Sequence, residues 1–319
     1  MRYTTLGRTG LEVSSIGFGA ATLGEEFGPL DAPTGRRAVH SAIDHGINYF
    51  DVSPYYGRTL AEERLGEALR GKRQEVILET KVGRYGLKHP EGFDFSASRV
   101  VRSVEESLRR LRTDVIDVFL AHDIEFESRS RILGETLPAM RKLKEEGKIR
   151  ALGVTGYPLE LLREVAVEGE VDVVLSYCHY NLMNTRMAVV LGPLAREREM
   201  GLVNASPLHM GVLTHEGPPA WHPAPPEVLG AARECADFCS SRGLDFAELA
   251  LSFALGNDLV DSTLVGMRTE EEVLANVRTL QSPPDPALVA ELRRRLAAVL
   301  DREWPSGLPD NNSVSEVVT

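Results

Sequence analysis

The sequence has 319 residues, and its 47 acidic and 36 basic side chains give a formal net charge of −11. This length fits one large α/β barrel or two ordinary domains, and 43% hydrophobic with 26% charged residues is a globular composition that excludes disordered and collagen-like chains. The acidic balance argues against a nucleic-acid partner, because phosphate binding needs a basic surface.

Cysteine usage and hydropathy bear on the compartment and on membranes. Three cysteines, Cys178, Cys235 and Cys239, form neither an even disulfide set nor a metal-binding quartet, so we predict a reduced compartment and no metal site. The sequence contains no apolar run of about 18 residues and no signal-peptide pattern. We therefore expect a cytoplasmic protein without a membrane partner. Its oligomeric state stays open, since no heptad or large apolar stripe marks an interface.

Short β-branched or aliphatic runs alternate with stretches of helical spacing along most of the chain. In the stretch 98–112, for example, Val101, Val104, Leu108 and Leu111 share one face at helical spacing. Eight such strands and helices in about 270 residues predict a (β/α)8, or TIM, barrel. A Rossmann sheet is disfavoured, because no G-x-G-x-x-G motif opens a helix. The predicted strands span residues 15–20, 47–52, 76–81, 115–122, 149–155, 171–176, 202–206 and 262–266.

Irregular stretches interrupt this single-domain pattern. Residues 1–15 carry turn glycines between β-prone runs and predict an N-terminal β-hairpin that caps the barrel floor. Residues 215–226, with five prolines and Trp221, form either a lid-like loop or a solvated surface loop pinned by one tryptophan. After residue 280 we predict a C-terminal helical segment, then a disordered tail over residues 308–319.

Four polar residues stand near the carboxyl ends of separate predicted strands, where barrel enzymes assemble their active sites. A lysine that closes a buried strand needs a carboxylate, and Asp51 is the available partner of Lys81. The ammonium then lowers the pKa of the nearby phenol of Tyr56, and His122 can hydrogen-bond the same substrate oxygen. Taken singly, each residue has a structural explanation: Asp51 as a cap, Lys81 as a snorkelling lysine, Tyr56 as packing and His122 as a core imidazole. The presence of all four at strand ends is harder to explain by structure alone.

These residues carry a family resemblance. The motif DVSPYYG (51–57), the strand-final Lys81 and the strand-final His122 resemble the Asp, Tyr, Lys and His tetrad of the aldo-keto reductases, barrel oxidoreductases that use NAD(P). The resemblance runs from about residue 2 to residue 307. Further strings are similar to the branch of plant-type L-galactose dehydrogenases: GFDFSASRV, AHDIEF, LSYCHYN, SPLHMGVLT, GPPAWHP, LVGM and WPSG.

The resemblance also implies a dinucleotide site along the barrel mouth. Thr155 stands where the family has a serine and Ser176 or Tyr177 where it has a glutamine, and Ala205 replaces an aromatic residue that commonly stacks on the nicotinamide. The positions implied to contact the cofactor are Gly19, Ala20, Thr155, Ser176, Ser206, Pro207, Leu208, Gly211, Gly266, Met267, Arg268, Glu272 and Asn276.

The choice between NAD and NADP turns on Glu272. Members of the family that prefer NADP place an arginine at the matching position, whereas a carboxylate repels the 2′-phosphate and can accept a hydrogen bond from a free ribose hydroxyl. This favours NAD. The segment from Thr269 to Glu272 is also a capping-box pattern, in which Glu272 satisfies a backbone amide at the helix start. Both interpretations stay open, and the nearby Arg268 keeps NADP use possible.

The branch resemblance implies an aldose 1-dehydrogenase that acts on a CH–OH donor and oxidises a sugar at its anomeric carbon to the lactone. L-Galactose, L-fucose and D-arabinose are the sugars that it favours. Tyr56 takes the hydroxyl proton and His122 orients that hydroxyl, while Asp123, His179 and Trp221 contact the sugar. The alternatives are an oxidoreductase for pyridoxal or another aldehyde or alcohol, and a non-catalytic regulatory subunit that binds the cofactor. The intact tetrad disfavours the last of these.

Overall fold

The computed structural model describes residues 1–312, in which eight parallel strands form a closed barrel. Neighbouring strands pair in chain order, and the last barrel strand pairs with the first. The predicted (β/α)8 barrel is confirmed, and every predicted strand overlaps an observed one. The barrel strands are β3 (Ile16–Gly19), β4 (Tyr49–Asp51), β5 (Ile77–Val82), β6 (Ile116–His122), β7 (Ile149–Gly156), β8 (Val173–Tyr177), β9 (Gly201–Ala205) and β10 (Ser262–Gly266).

Helices follow the strands and cover the barrel. The helix after β5 is capped by Ser96, whose side chain accepts a hydrogen bond from the Arg99 amide. Its buried face includes Val100 and Val104, whereas Val101, predicted to face the core, is exposed. The helices are α1 (Ala32–Asp44), α2 (Leu60–Ala68), α3 (Ala97–Leu111), α4 (Arg129–Arg131), α5 (Leu137–Glu145), α6 (Leu159–Glu168), α7 (Arg186–Val190), α8 (Gly192–Arg198), α9 (Pro226–Ser240), α10 (Phe246–Leu255), α11 (Glu270–Thr279) and α12 (Pro286–Arg295).

Alternate strand residues point into the barrel, as the two-residue period of a strand requires. On β4, Tyr49 packs with the interior cluster while Phe50 packs against the surrounding helices. The same alternation turns Asp51, Lys81 and His122 inward at the carboxyl ends of their strands. The mouth of the barrel is therefore polar, above an interior that is lined mostly by apolar side chains.

The predicted N-terminal hairpin closes the opposite end. Strands β1 (Tyr3–Thr5) and β2 (Glu12–Ser14) pair in antiparallel fashion. Leu6 and Val13 are fully buried and pack with the interior cluster of the barrel. Gly7 has φ of +48°, and a Cβ there would lie 2.2 Å from the Gly201 backbone nitrogen, so a side chain has no room.

The end of the described chain differs from the prediction of a disordered tail over residues 308–319. Pro309–Asn311 form a 3-10 helix, and the Asn311 side chain donates to the carbonyls of Glu125 and Glu127. The tail prediction is wrong for residues 308–312, because these hydrogen bonds hold the segment against the barrel. Its remaining part, residues 313–319, lies outside the described residues. The predicted C-terminal helix is present as α12, and no helix within residues 1–312 is long and apolar enough to cross a membrane.

Candidate active site

A lysine and an aspartate lie side by side at the carboxyl end of the barrel. Asp51 ends β4 and Lys81 lies near the end of β5, with exposures of 5% and 1%. Lys81 Nζ donates to Asp51 Oδ1 and, over 3.0 Å, to the Val52 carbonyl. Burial is the largest single effect and lowers the pKa of Lys81, but the charges of Asp51, Tyr56 and Glu79 together raise it by more, so this pKa lies above its ordinary value. The ammonium is therefore charged at neutral pH, as the sequence predicts.

Tyr56 brings a phenol to the same ammonium. Its hydroxyl lies 3.4 Å from Lys81 Nζ, which also lies 5.0 Å from the centre of the ring. Burial raises the pKa of Tyr56 and the Lys81 charge lowers it by less, so the pKa stays above its ordinary value. The prediction of a net lowered pKa is thus wrong for the protein alone, because lost hydration and the Asp51 charge outweigh the ammonium.

His122 completes the cluster at the end of β6. Its ring lies 5.9 Å from the Tyr56 ring in an edge-on arrangement, and its Nδ1 lies 3.0 Å from Ser53 Oγ. Burial lowers the pKa of His122 to about 3, which makes the imidazole neutral. The Nδ1 contact fixes the ring, so Nε2 is the nitrogen left for a substrate. Ser53 was not predicted, although it lies within the DVSPYYG motif.

An ion pair borders the histidine. Asp123 has φ of +56° and accepts a hydrogen bond from Arg84 Nη1, while its Oδ2 lies 3.6 Å from His122 Nε2. The Arg84 guanidinium stacks 3.9 Å above the Tyr55 ring. Within residues 1–312, Asp123 Oδ1 and Arg84 Nε are buried without a hydrogen-bond partner. Asp123 is a predicted substrate residue. Arg84 was missed, although its place just after β5 puts it at the barrel mouth.

Two predicted residues lie away from the mouth. His179 is fully buried, with Nδ1 3.0 Å from Ser176 Oγ and Nε2 3.0 Å from Glu303 Oε1. Its predicted contact with the sugar is wrong, because the ring is fully buried on the outer side of β8, although Nε2 makes no hydrogen bond within residues 1–312. Ser176 follows Leu175, an inward residue of β8, so it points outward to His179 rather than to a nicotinamide. Tyr177, the other candidate for that position, takes the inward place.

A cluster of aromatic side chains packs next to His179. Trp304 stacks on Tyr157 with ring centres 4.6 Å apart, and its ring also lies 5.4 Å from the rings of His209 and His222. The sequence gave no role to Trp304 beyond its place in the WPSG string. Trp221 lies at the rim instead, 55% exposed, with its ring 6.1 Å from Phe27.

The loop of residues 215–226 folds back on the turn that follows β9. His222 Nε2 lies 3.1 Å from the His209 carbonyl, and a Cβ on Gly211 would lie 3.2 Å from the Gly217 carbonyl oxygen. Ser206, His209, Met210 and Gly211 all have positive φ in this turn. Closely spaced left-handed residues can turn backbone amides toward an anion, which fits the predicted pyrophosphate position at Ser206, Pro207, Leu208 and Gly211.

The other predicted cofactor residues lie on three strand ends around the mouth. Gly19 and Gly266 are register partners of β3 and β10, with Ala20 and Met267 directly after them. Thr155 is the register partner of His122 and points inward from β7. The strand ends thus present small side chains beside the cluster of Asp51, Lys81, Tyr56 and His122.

The segment after β10 carries Arg268 and Glu272, the residues that bear on the choice between NAD and NADP. Arg268 donates from Nη2 to the Pro29 carbonyl over 2.7 Å, while its Nε is buried without a partner among residues 1–312. The exposed Glu272 accepts from the Arg268 amide over 2.6 Å, and its own amide donates to Thr269 Oγ1 over 3.3 Å. Glu272 therefore acts as a helix cap. Asn276 is half-buried one turn further on. The free Arg268 donor fits a polar or anionic nucleotide group.

Comparison with known proteins agrees with this architecture. The model of the aldo/keto reductase family matches residues 15–295. L-galactose dehydrogenase of Arabidopsis thaliana is 44% identical, over 96% of this chain and 98% of that protein. Pyridoxal 4-dehydrogenase of Microbacterium luteolum is 30% identical, over 88% and 93%. A holo-form aldo-keto reductase from Bacillus halodurans superposes with a TM-score of 0.78 at 28% identity, covering 96% of this chain and 99% of that one.

The chain belongs to the aldo/keto reductase family. Aldo-keto reductases are oxidoreductases that use nicotinamide cofactors of the NAD(P)H type, and this chain is an oxidoreductase of that family.

Proposed function

We propose that the protein catalyses the NAD-dependent oxidation of an aldose at its anomeric carbon to the lactone, with L-galactose or a related sugar as substrate. The observation that carries the proposal is the buried cluster of Asp51, Lys81, Tyr56 and His122 at the mouth of the barrel. The 44% identity with an L-galactose dehydrogenase over nearly the whole of both chains supports the choice of substrate class.

In this proposal Tyr56 moves the proton. As a phenolate it accepts the proton of the anomeric hydroxyl, and as a phenol it returns the proton in the reverse direction. Lys81, 3.4 Å away, favours the phenolate, and Asp51 holds Lys81 in place. A bound nicotinamide supplies the hydride acceptor. Since burial opposes ionisation of Tyr56, the oxidation rate should rise with pH through the neutral range.

His122 and the ion pair beside it orient the sugar. The neutral imidazole presents Nε2 to the reacting hydroxyl, because Ser53 occupies Nδ1. Asp123 Oδ1 and Arg84 Nε supply one acceptor and one donor without partners among residues 1–312, and adjacent ring hydroxyls would satisfy both. Trp221 contacts the substrate at the rim, and the loop of residues 215–226 acts as a lid whose edge is the contact between Trp221 and Phe27.

The cofactor assignment follows from charge at the rim. Glu272 keeps its carboxylate at the surface even though it caps α11, so it still repels a 2′-phosphate. Arg268 has its Nη2 engaged by Pro29 but keeps an unpartnered Nε within residues 1–312, so it does not decide between the two cofactors. The Glu272 carboxylate therefore carries the preference for NAD over NADP.

The test is a substrate and cofactor panel. Initial rates with NAD and NADP are measured on L-galactose, L-fucose, D-arabinose and pyridoxal, and the product is identified as a lactone. Pyridoxal is the second candidate substrate, supported by the 30% identical pyridoxal dehydrogenase. Efficient turnover of pyridoxal, together with no turnover of any of the three sugars, would contradict the proposal in favour of a pyridoxal dehydrogenase.

A variant pair tests the role of Tyr56. Tyr56→Phe should lower kcat by about 10²-fold or more while cofactor affinity is kept. The matched control is Tyr55→Phe, which preserves the ring under Arg84 and leaves the hydroxyl beside Lys81 untouched. Equal losses in both variants would contradict the assignment of the proton to Tyr56.

A further inference from the structure

The ion pair of Asp51 and Lys81 has a third ionisable neighbour inside the barrel. Glu79 lies two residues before Lys81 on β5 and points inward like it, and it is the register partner of Asp51 across the β4–β5 ladder. Glu79 is fully buried. Two carboxyl groups and one ammonium therefore share a site without solvent, and ionisation of all three would leave an uncompensated negative charge there.

The contacts of Glu79 show how this excess is avoided. The Tyr49 phenol donates to Glu79 Oε2, and burial raises the pKa of Tyr49 well above its ordinary value, so Tyr49 stays a donor. Among residues 1–312, Glu79 Oε1 receives no hydrogen bond from any donor, and the residue opposite Glu79 on β4 is its register partner Asp51, which also carries a carboxyl group. Two carboxyl groups can form a hydrogen bond with each other only if one of them carries a proton.

The proton belongs on Glu79 rather than on Asp51. Asp51 has the Lys81 ammonium as a direct partner, whereas Glu79 has only the neutral Tyr49 phenol. Burial, followed by the Asp51 charge, raises the pKa of Glu79 well above its ordinary value, and Lys81 counteracts this only in part.

We propose that Glu79 is a neutral carboxylic acid in the working enzyme and that it positions Asp51 by donating a hydrogen bond to its carboxylate. The chain of contacts then runs from Tyr49 through Glu79, Asp51 and Lys81 to Tyr56. An ionised Glu79 would instead compete for Lys81 and weaken the hold of the ammonium on the Tyr56 phenol. The effect on turnover rests on the proposed function, whereas the protonation state does not.

Infrared difference spectroscopy reads the protonation state directly. Spectra of the full chain at about pH 7.5 should contain the carbonyl stretch of protonated carboxylic acids, and Glu79→Gln should remove one component of it. Burial raises the pKa of Glu125 to about 8, so the component that remains in this variant belongs to Glu125. The matched control is Glu62→Gln, because Glu62 is also fully buried but pairs with Arg110 and should contribute no such band. A spectrum in which Glu79→Gln removes only a carboxylate band would overturn the proposal.

Kinetics test the positioning role. Glu79→Gln keeps a neutral donor to Asp51, so kcat should stay within about twofold and its pH profile should not move. Glu79→Leu removes the donor, and we expect kcat to fall about tenfold or more with KM little changed. A tenfold loss in Glu79→Gln, or full activity in Glu79→Leu, would overturn the role. The two proposals can fail separately. If Glu79→Gln removes an acid component but the protein oxidises no aldose, the proposed function is rejected and the neutral state of Glu79 stands.

Discussion

Replacing Lys81 with methionine removes the positive charge on which the site depends while keeping an unbranched side chain of similar length. The side chains of Lys81 and Asp51 are 2% and 7% exposed, so the pair belongs to the buried class in which loss of one partner costs about 3–5 kcal/mol. Asp51 must then either remain charged without a partner or take up a proton. Tyr56 loses the ammonium 3.4 Å away, so kcat should also fall by about 10²-fold or more.

The Asp51→Asn variant should be milder for stability than Lys81→Met. Glu79 is next to the same ammonium and can lose its proton to become the new partner of Lys81. We expect an unfolding cost of about 1–2 kcal/mol for Asp51→Asn, against about 3–5 kcal/mol for Lys81→Met. The Glu79→Gln/Asp51→Asn double variant removes this rescue and should approach the larger value.

Urea unfolding at constant pH measures these free energies, and initial rates on the best substrate measure the kinetic loss. The reasoning fails if Lys81→Met costs less than about 1 kcal/mol. It also fails if the two single variants are equally destabilised, since the asymmetry comes only from the second carboxyl group.

Three further predictions concern the rim, the substrate contacts and acid stability. Glu272→Arg should shift the ratio of kcat/KM for NADP over NAD upward about tenfold or more, and an unchanged ratio would remove Glu272 from cofactor choice. Arg84→Met should raise the sugar KM about fivefold or more without changing the KM for cofactor, which steady-state titration of each checks. His122 and His209 have folded pKa values lowered to about 3 from an ordinary 6.5, so the unfolded chain binds more protons between these values. Unfolding free energy, measured by denaturant titration, should therefore fall as pH drops below about 6.5, and a flat profile would contradict their burial as neutral rings.

The fold could be predicted in most of its parts because period and strand count are local signals. The eight strands follow from β-branched runs, and the inward direction of Asp51 and Lys81 follows from alternation along β4 and β5. The ion pair follows as well, since a strand-final lysine inside a barrel needs a counter-charge. On α3, Val101 is exposed although it was predicted to face the core. The prediction erred there because neighbouring positions of the helix are also apolar.

The rest of the site depends on distances that spacing along the chain does not contain. The sequence shows that Lys81 accompanies Tyr56, but only the degree of burial decides the sign of the net pKa shift. His179 lies two residues beyond β8, yet its ring is fully buried, and Glu303 from the C-terminal segment lies 3.0 Å from its outer nitrogen. Glu79 was passed over because a glutamate inside a hydrophobic strand gives no indication of its proton until its neighbours are known.

The segment from Glu303 to Asn312 has a consequence for how the protein matures. It is the final part of the described chain to leave the ribosome, yet Trp304 supplies a ring of the mouth wall and Asn311 fastens the segment to the loop after β6. A nascent chain can therefore complete its eight strands before this segment docks beside the site. A bulky fusion placed close behind Asn312 would hinder the docking of this segment. A fusion at the hairpin end of the barrel would not, because that end is remote from the segment.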